Sequence, residues 1–434
     1  VGFENTSLGT GSNYENILGS YNTSLGSGAM GANTNSYNNT AIGFQAMYYI
    51  QGDDQPNGSD NTALGYLALR GSSTPSNNTG EGNTAIGASS LLGNTSGNNN
   101  TATGGYSLQS NTSGEANTAI GTAALTANTT GNYNLAVGAG SLNFSTTGAE
   151  NTALGSYALY FNKANSRSTA IGYLALHYAD NRTTGQETFN TAIGYEALKG
   201  SISPADNTGR YNTAVGDQAL YSNKSGSYNI SIGGSGLSNN QSGSNNTATG
   251  FGAGNTNTSG SNNTFVGYLA NAGSGSLTNA TAIGNNASVN ASNKIVLGNA
   301  SATTVGGYGT WTNYSDSRLK ENIKYTNRLG LSFILKLQTV SYNYKEDRNK
   351  VRRDGLIAQD VQKALTELSL EFSGLVIDDD EMKTMNISYE TLVIPLINAV
   401  QQQQQTINEQ QNSIDLLLKQ NAEIMKRISS LETK

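Results

Sequence analysis

The sequence predicts a mainly β protein: a solenoid shaft of about sixteen short repeats, then a small α/β domain that ends in a coiled coil. Three observations carry this. One pentapeptide recurs at a fixed spacing, the composition breaks sharply near Asn313, and from about Val393 the apolar residues fall into heptads.

The phrase "NTAIG" returns as "NTALG", "NTATG", "NLAVG", "STAIG", "NISIG", "NTFVG" and "ATAIG". Its glycine stands at Gly9 and returns every 17 residues as far as Gly284. The exceptions are four intervals of 22, which end at Gly65, Gly87, Gly194 and Gly216, and a last interval of 14 leads to Gly298. A short fixed period marks a solenoid, because one such unit cannot bury its apolar surface alone and must stack on its neighbours. Helical repeats are excluded by the density of Gly, Asn, Ser and Thr and by the lack of a 3.6-residue period.

Within the unit "GNTAIGASSLLGNTSGN" (82–98) two segments read as strands, "NTAIG" and the stretch ending in Leu91, joined by Gly-Asn-Thr-Ser turns. Alternation puts Thr84 and Ile86 on one face and Ala85 on the other. The expectation is that Ile86, Ile42, Ile120, Ile171, Ile193 and Ile283 form one internal column, and Leu69, Leu125, Leu159, Leu176, Leu198 and Leu220 a second. The asparagines are expected to form a ladder to the backbone of adjacent turns, and the glycine to allow positive φ or close backbone approach. Two core residues per turn make a thin column, so several shafts are expected to associate around one axis. At ~4.8 Å per turn the shaft is on the order of 75 Å long.

The extra residues of the long intervals fall in "YYIQGDDQPNGSDN", "RGSSTPSNNTGEGN", "HYADNRTTGQETFN" and "KGSISPADNTGRYN". Insertions in solenoids map to surface loops. These read either as tolerated variation or as contacts for a cell-surface glycan or protein receptor. The sole histidine, His177, is expected in such a surface loop.

The composition excludes much chemistry. There are no cysteines, so disulfides and thiolate ligands are out, and no cofactor or metal is expected. The net charge of −6 offers no basic surface for nucleic acid. No apolar run is long enough to span a membrane; the chain opens on Val1 and is expected to start inside a longer or processed product. The repeat has no aspartate at the calcium-binding β-roll positions. For a polysaccharide-degrading enzyme, paired carboxylates are required, and Asp53 with Asp54, or Glu187 with Glu196, are the available acids.

From Asn313 onward only three of the 52 glycines remain, and the charged side chains crowd in. The expected divisions are a shaft over 1–298, a transition over 299–312 containing Trp311, a peptidase-type domain over 313–390 and a coiled coil over 391–434. "GLIAQDVQKALTEL" puts Ile357, Val361, Leu365 and Leu368 on one helical stripe, and "RNKVRRDG" reads as a solvated hairpin tip. Val393, Val400, Ile407, Ile414, Asn421 and Ile428 take heptad position a; Leu396, Gln403, Gln410, Leu417, Ile424 and Leu431 take d. Ile at a with mixed Leu and Ile at d leans toward trimers, with Asn421 fixing register. Val400, Ile407, Ile414, Leu417, Asn421, Ile424, Ile428 and Leu431 are therefore the expected trimerisation residues. Pro395 is expected to kink or delay the helix.

The repeats resemble the heads of trimeric autotransporter adhesins, left-handed parallel β-rolls with a similar strand and a shorter unit. "SDSRLKENI", "YNYK", "GLIAQDVQ" and "ISYETLVIPLINAVQQQQQ", in that order, resemble the intramolecular chaperone domain found at the end of phage endosialidase tailspikes and shared by many tail fibres. That resemblance implies a domain that trimerises its fibre and then removes itself with a Ser and Lys dyad. Ser315 would be the nucleophile, Lys320 its base and Asp316 a supporting residue. Cleavage would fall between Tyr314 and Ser315, or just after Ser315. Ser315 and Lys320 do not share a helical face, so they must meet across a turn or between chains. The function expected is a homotrimeric extracellular fibre, of a virion tail or a bacterial surface, with an autoproteolytic serine endopeptidase at its end. The alternative is a tailspike that degrades polysaccharide with loop carboxylates.

Overall fold

In the computed structural model the repeats close into a parallel β-solenoid. The described residues are 2–50, 59–302, 304–306, 312–345, 347 and 350–432. Asp53, Asp54 and Trp311, with parts of the first long loop and of the basic hairpin, lie outside them. Two compact units divide between Asn299 and Ala300.

Among the described residues of the first unit seventeen three-residue strands stack in parallel, each paired with its sequence neighbour in the main sheet. Register is preserved from turn to turn: Thr101, Ala102 and Thr103 face Thr118, Ala119 and Ile120, which face Leu135, Ala136 and Val137. The strands are short because the repeat glycine ends each one. Gly121 has φ +132°, and a Cβ there would lie 2.7 Å from the backbone of Gly138 in the next turn. Only glycine tolerates both conditions.

The expected core is inverted. Ala85 is 0% exposed and Ile86 37% exposed, and the same holds for Ala119 and Ile120. The alanine column points inward with Leu125 and its counterparts, while the isoleucine column points outward. The interior is too narrow to take a β-branched side chain from every turn at ~4.8 Å spacing; alanine fits it. The anticipated thin core is likewise corrected, because Ala119, Ala124 and Leu125 are fully buried within a single chain.

The second expected strand is also absent from most turns. After the glycine the chain runs in turn conformation, with Ala123 at φ 56° and Leu125 at φ 50°. Left-handed residues flip alternate amides along the shaft axis. The Ala123 N–H donates to Gly105 O in the preceding turn (2.9 Å), and the Leu125 N–H to Ser141 O in the following turn (3.0 Å). Backbone groups are thus satisfied between turns without strand geometry. Among the described residues a second strand pair forms only near the end, where Asn271–Ala272 pairs with Ser288–Val289.

The asparagine ladder is present. Asn117 Nδ2 donates to Gly131 O (2.8 Å) and Asn100 Oδ1 (3.1 Å), and Asn117 Oδ1 accepts from the Asn134 backbone N–H (3.0 Å). A second column, Asn94, Asn111 and Asn128, joins neighbour to neighbour beside the first and shares its carbonyl acceptors, Asn117 and Asn128 both donating to Gly131 O. These side chains fill the interior and satisfy most of it; where Ser145 takes the next place in the second column, Asn128 Oδ1 is left without a partner.

Among its described residues the second unit holds three α-helices: α1 (Leu331–Ile334), α2 (Ala358–Leu368) and α3 (Val393–Glu432). Two antiparallel strand pairs, Val340–Tyr342 with Arg353–Gly355 and Leu375–Ile377 with Met385–Ile387, complete it. Its core is Phe333, Val361, Leu365 and Phe372; of the expected α2 stripe, Ile357 stays partly exposed at the helix start. Pro395 sits in the first turn of α3, where an N–H has no intrahelical partner, so it neither kinks nor delays the helix. Gln402 in the glutamine run accepts from the Leu331 N–H (2.7 Å), and Asn398 donates to Leu329 O (2.9 Å), tying α3 to the start of α1. Among the described residues no helix is long and apolar enough to cross a membrane.

Candidate functional site

The segment 313–320 is built around one turn of 3-10 helix, Ser317–Leu319. Asp316 caps it, accepting from the Arg318 N–H at 2.8 Å, and the Arg318 guanidinium closes on the same carboxylate. Those hydrogen bonds from Arg318 hold the Asp316 carboxyl below its ordinary pKa. Lys320 then returns to extended geometry, φ −121° and ψ 142°, and its side chain doubles back. Lys320 Nζ lies 2.9 Å from Ser315 Oγ. The two residues that share no helical face are joined across this turn within one chain.

Both side chains are exposed, and Tyr314 beside them is 95% exposed. A lysine amino group donates hydrogen bonds when it is protonated. It becomes a base only where burial lowers its pKa toward neutrality. The geometry therefore brings a hydroxyl and an amino group within hydrogen-bond distance at an open surface.

The heptad residues lie along α3 with their apolar side chains uncovered: Val400, Ile407, Ile414, Leu417, Ile424, Ile428 and Leu431 are all exposed, as is Asn421. The outward strand column of the shaft forms a second uncovered apolar line, through Leu25, Leu64, Ile86, Ile120, Leu154, Ile193 and Ile283.

Of the carboxylates considered for polysaccharide cleavage, Asp53 and Asp54 lie outside the described residues, and the other two are each bound to a cation. Glu187 pairs with Arg167 at 2.9 Å, and Glu196 with Lys199 at 2.6 Å. Burial pushes Glu196 up, but hydrogen bonds from Lys199 and Gln218 outweigh it and hold the carboxyl below its ordinary range. His177 is not a free loop residue. It is half-buried, stacked on Tyr160, with Nδ1 3.0 Å from Tyr157 O. Burial lowers its pKa.

Among known families, the one described as chaperone of endosialidase matches residues 315–370, a span that begins at Ser315 and includes Lys320 and α2. Comparison with curated proteins and with solved structures returned no match. The shaft and α3 lie outside the matched span. The chain thus has the layout of a tail-fibre-type protein, a long β-solenoid followed by a segment of the endosialidase chaperone family.

Proposed function

We propose that this chain is the subunit of a homotrimeric extracellular fibre, of a virion tail or a bacterial surface, whose C-terminal unit aligns three shafts and then severs itself at Ser315. The observation that carries the reading is the 2.9 Å approach of Lys320 Nζ to Ser315 Oγ at the start of the matched segment. Two uncovered apolar lines, one along the shaft and one along α3, support association, since long exposed apolar surface marks contact with a partner. The heptad pattern favours three chains. Alignment must come from α3, because neighbouring shaft turns are so alike that a slip of one turn leaves nearly the same contacts.

In the proposed reaction Ser315 Oγ attacks the carbonyl carbon of Tyr314 while neutral Lys320 takes the hydroxyl proton. Lys320 returns that proton to the Ser315 nitrogen as the C–N bond breaks, which leaves an ester between the Tyr314 carbonyl and Ser315 Oγ. Water hydrolyses the ester to a Tyr314 carboxylate and a free Ser315 hydroxyl and amine. Burial of Lys320 by neighbouring chains would lower its pKa, so cutting would wait for assembly.

The test is intact mass of the full chain during long incubation at neutral pH, with light scattering for its oligomeric state. Expected are fragments 1–314 and 315–434, both abolished in Ser315→Ala and Lys320→Ala, with those two variants still assembling. An intact wild-type trimer after incubation overturns the autoproteolysis. A monomer at micromolar concentration overturns the fibre reading.

A further inference from the structure

The shaft carries an aromatic surface that the chaperone reading leaves unused. The two positions that follow the repeat glycine by five and six residues lie on one side of the solenoid, turn above turn. After Gly155 they are Tyr160 and Phe161; after Gly172, His177 and Tyr178. Phe144 stacks on Phe161 at 5.5 Å and 2°, Phe161 on Tyr178 at 5.6 Å and 14°, and Tyr160 on His177 at 5.2 Å and 10°. Two parallel rows of rings result. Contact between stacked rings needs only ~3.5–4 Å, so these centroid separations mean offset stacks, each leaving part of its face uncovered.

Polar groups border the rings. Lys199 follows His177 in its row, with Nζ 5.4 Å from the ring of Tyr221, and is bound to Glu196, which also accepts from Gln218 at 2.9 Å. This side of the shaft therefore combines apolar ring faces with fixed donors and acceptors at their edge.

Part of this arrangement, a ring pair with a cation in the next turn, occurs a second time, there with the two rings edge to face and without the stacked rows. Seven turns earlier Tyr48 and Tyr49 occupy the same two positions after Gly43, and Arg70 holds the place of Lys199, 5.1 Å over the ring of Tyr49. Each patch is backed by an equivalent long-turn loop. Asn78 donates to Tyr49 O and Ser72 O and accepts from the Ser72 N–H; Asn207 makes the same three bonds to Tyr178 O, Ser201 O and the Ser201 N–H. Loop variation alone does not reproduce a ring pair, a cation and a buttressing asparagine together at both places.

We propose that the two patches are carbohydrate-binding platforms that hold one polysaccharide chain along the shaft. Pyranose rings present C–H faces that pack on aromatic faces and hydroxyls that bond to flanking amides, carboxylates and ammonium groups, which is the chemistry on offer. The shaft's acidic balance disfavours a polyanion, so a neutral polysaccharide fits best. Seven turns at ~4.8 Å separate the platforms by about 34 Å. A polymer long enough to reach both gains avidity that a short oligomer lacks.

The experiment is an array of neutral and acidic bacterial polysaccharides probed with the full chain. It is followed by calorimetry of the best neutral polymer and its short oligomer against wild type, Phe161→Leu/Tyr178→Leu and Tyr49→Leu. Leucine keeps the apolar cover while removing the rings, and light scattering reports assembly separately. Expected is retention of a neutral polymer, at least tenfold weaker binding in the double variant, and loss of the polymer's advantage over the oligomer in Tyr49→Leu. Retention of nothing, retention of acidic polymers only, or binding unchanged in these variants overturns the proposal. Loss of assembly in the ring variants would assign the patch to a subunit contact and overturn it as well. None of these outcomes depends on cleavage at Ser315.

Discussion

Replacing Asn117 by alanine should loosen the shaft at two turns while leaving distant turns intact. The side chain is fully buried and makes four hydrogen bonds, donating to Asn100 Oδ1 and Gly131 O and accepting from the Asn134 backbone N–H and Nδ2. Three of the four partners keep another bond: Gly131 O still accepts from Asn128, Asn134 Nδ2 still donates to Gly148 O, and Asn100 Oδ1 still accepts from the Asn117 N–H. The Asn134 N–H is left with none. An orphaned buried donor costs ~1–3 kcal/mol and each of the three other lost bonds ~0.5–1.5 kcal/mol, so the sum is about 2.5–7.5 kcal/mol. Shared partners relax together and pull the result to the low end. A loss of ~3 kcal/mol speeds native-state amide exchange about 100-fold. In a one-dimensional array that change stays near the defect. Exchange measured by mass spectrometry should therefore rise in 117–134 and not in 229–246, with the exposed Thr122→Ala as control. Equal exchange in both variants would refute the view that the asparagine ladder, and not the short strands, holds the turns.

Two further outcomes follow from the same geometry. Gly121→Ala should denature at lower urea than Gly105→Ala, because a Cβ at 121 meets the next turn's backbone at 2.7 Å and positive φ, whereas the nearest atom at 105 is 3.8 Å away; the strain is ~1–3 kcal/mol, and coincident urea curves would contradict it. Glu196 has its folded pKa below the unfolded value, so its contribution is present above the usual carboxylate range and lost as pH falls through the folded pKa. Between pH 5 and pH 3 the wild type should therefore lose more thermal stability than Glu196→Gln, and parallel losses would show that the Lys199 pair adds nothing.

Much of the shaft could be read from the chain because its period is a direct consequence of stacking. Turns that hydrogen-bond in register must be equal in length, so the recurring glycine marks every strand end, and an insertion such as 72–78 must bulge outward. Which face of "TAI" turns inward could not be read. Alternation defines two faces without ranking them, and the usual expectation that the larger apolar residue is buried fails when the enclosed space is narrow. The positive φ of Leu125 was equally hidden, since nothing in leucine itself favours it; the pairing of its N–H with the following turn holds it there.

The candidate sites divide in the same way. Ser315 and Lys320 stand out at the composition break, yet their meeting depends on the single 3-10 turn that Asp316 caps. The aromatic platforms left a signal, rings or His at five and six residues after consecutive repeat glycines, which is visible only once those positions are known to share a side. By itself the sequence determined the repeat length, the asparagine and glycine positions, the composition break and the heptads, because each is a pattern along the chain. Only the tertiary structure decided what lies inside the shaft, which rings stack, and that Lys320 reaches Ser315, because those depend on the distance between residues that the chain order leaves open.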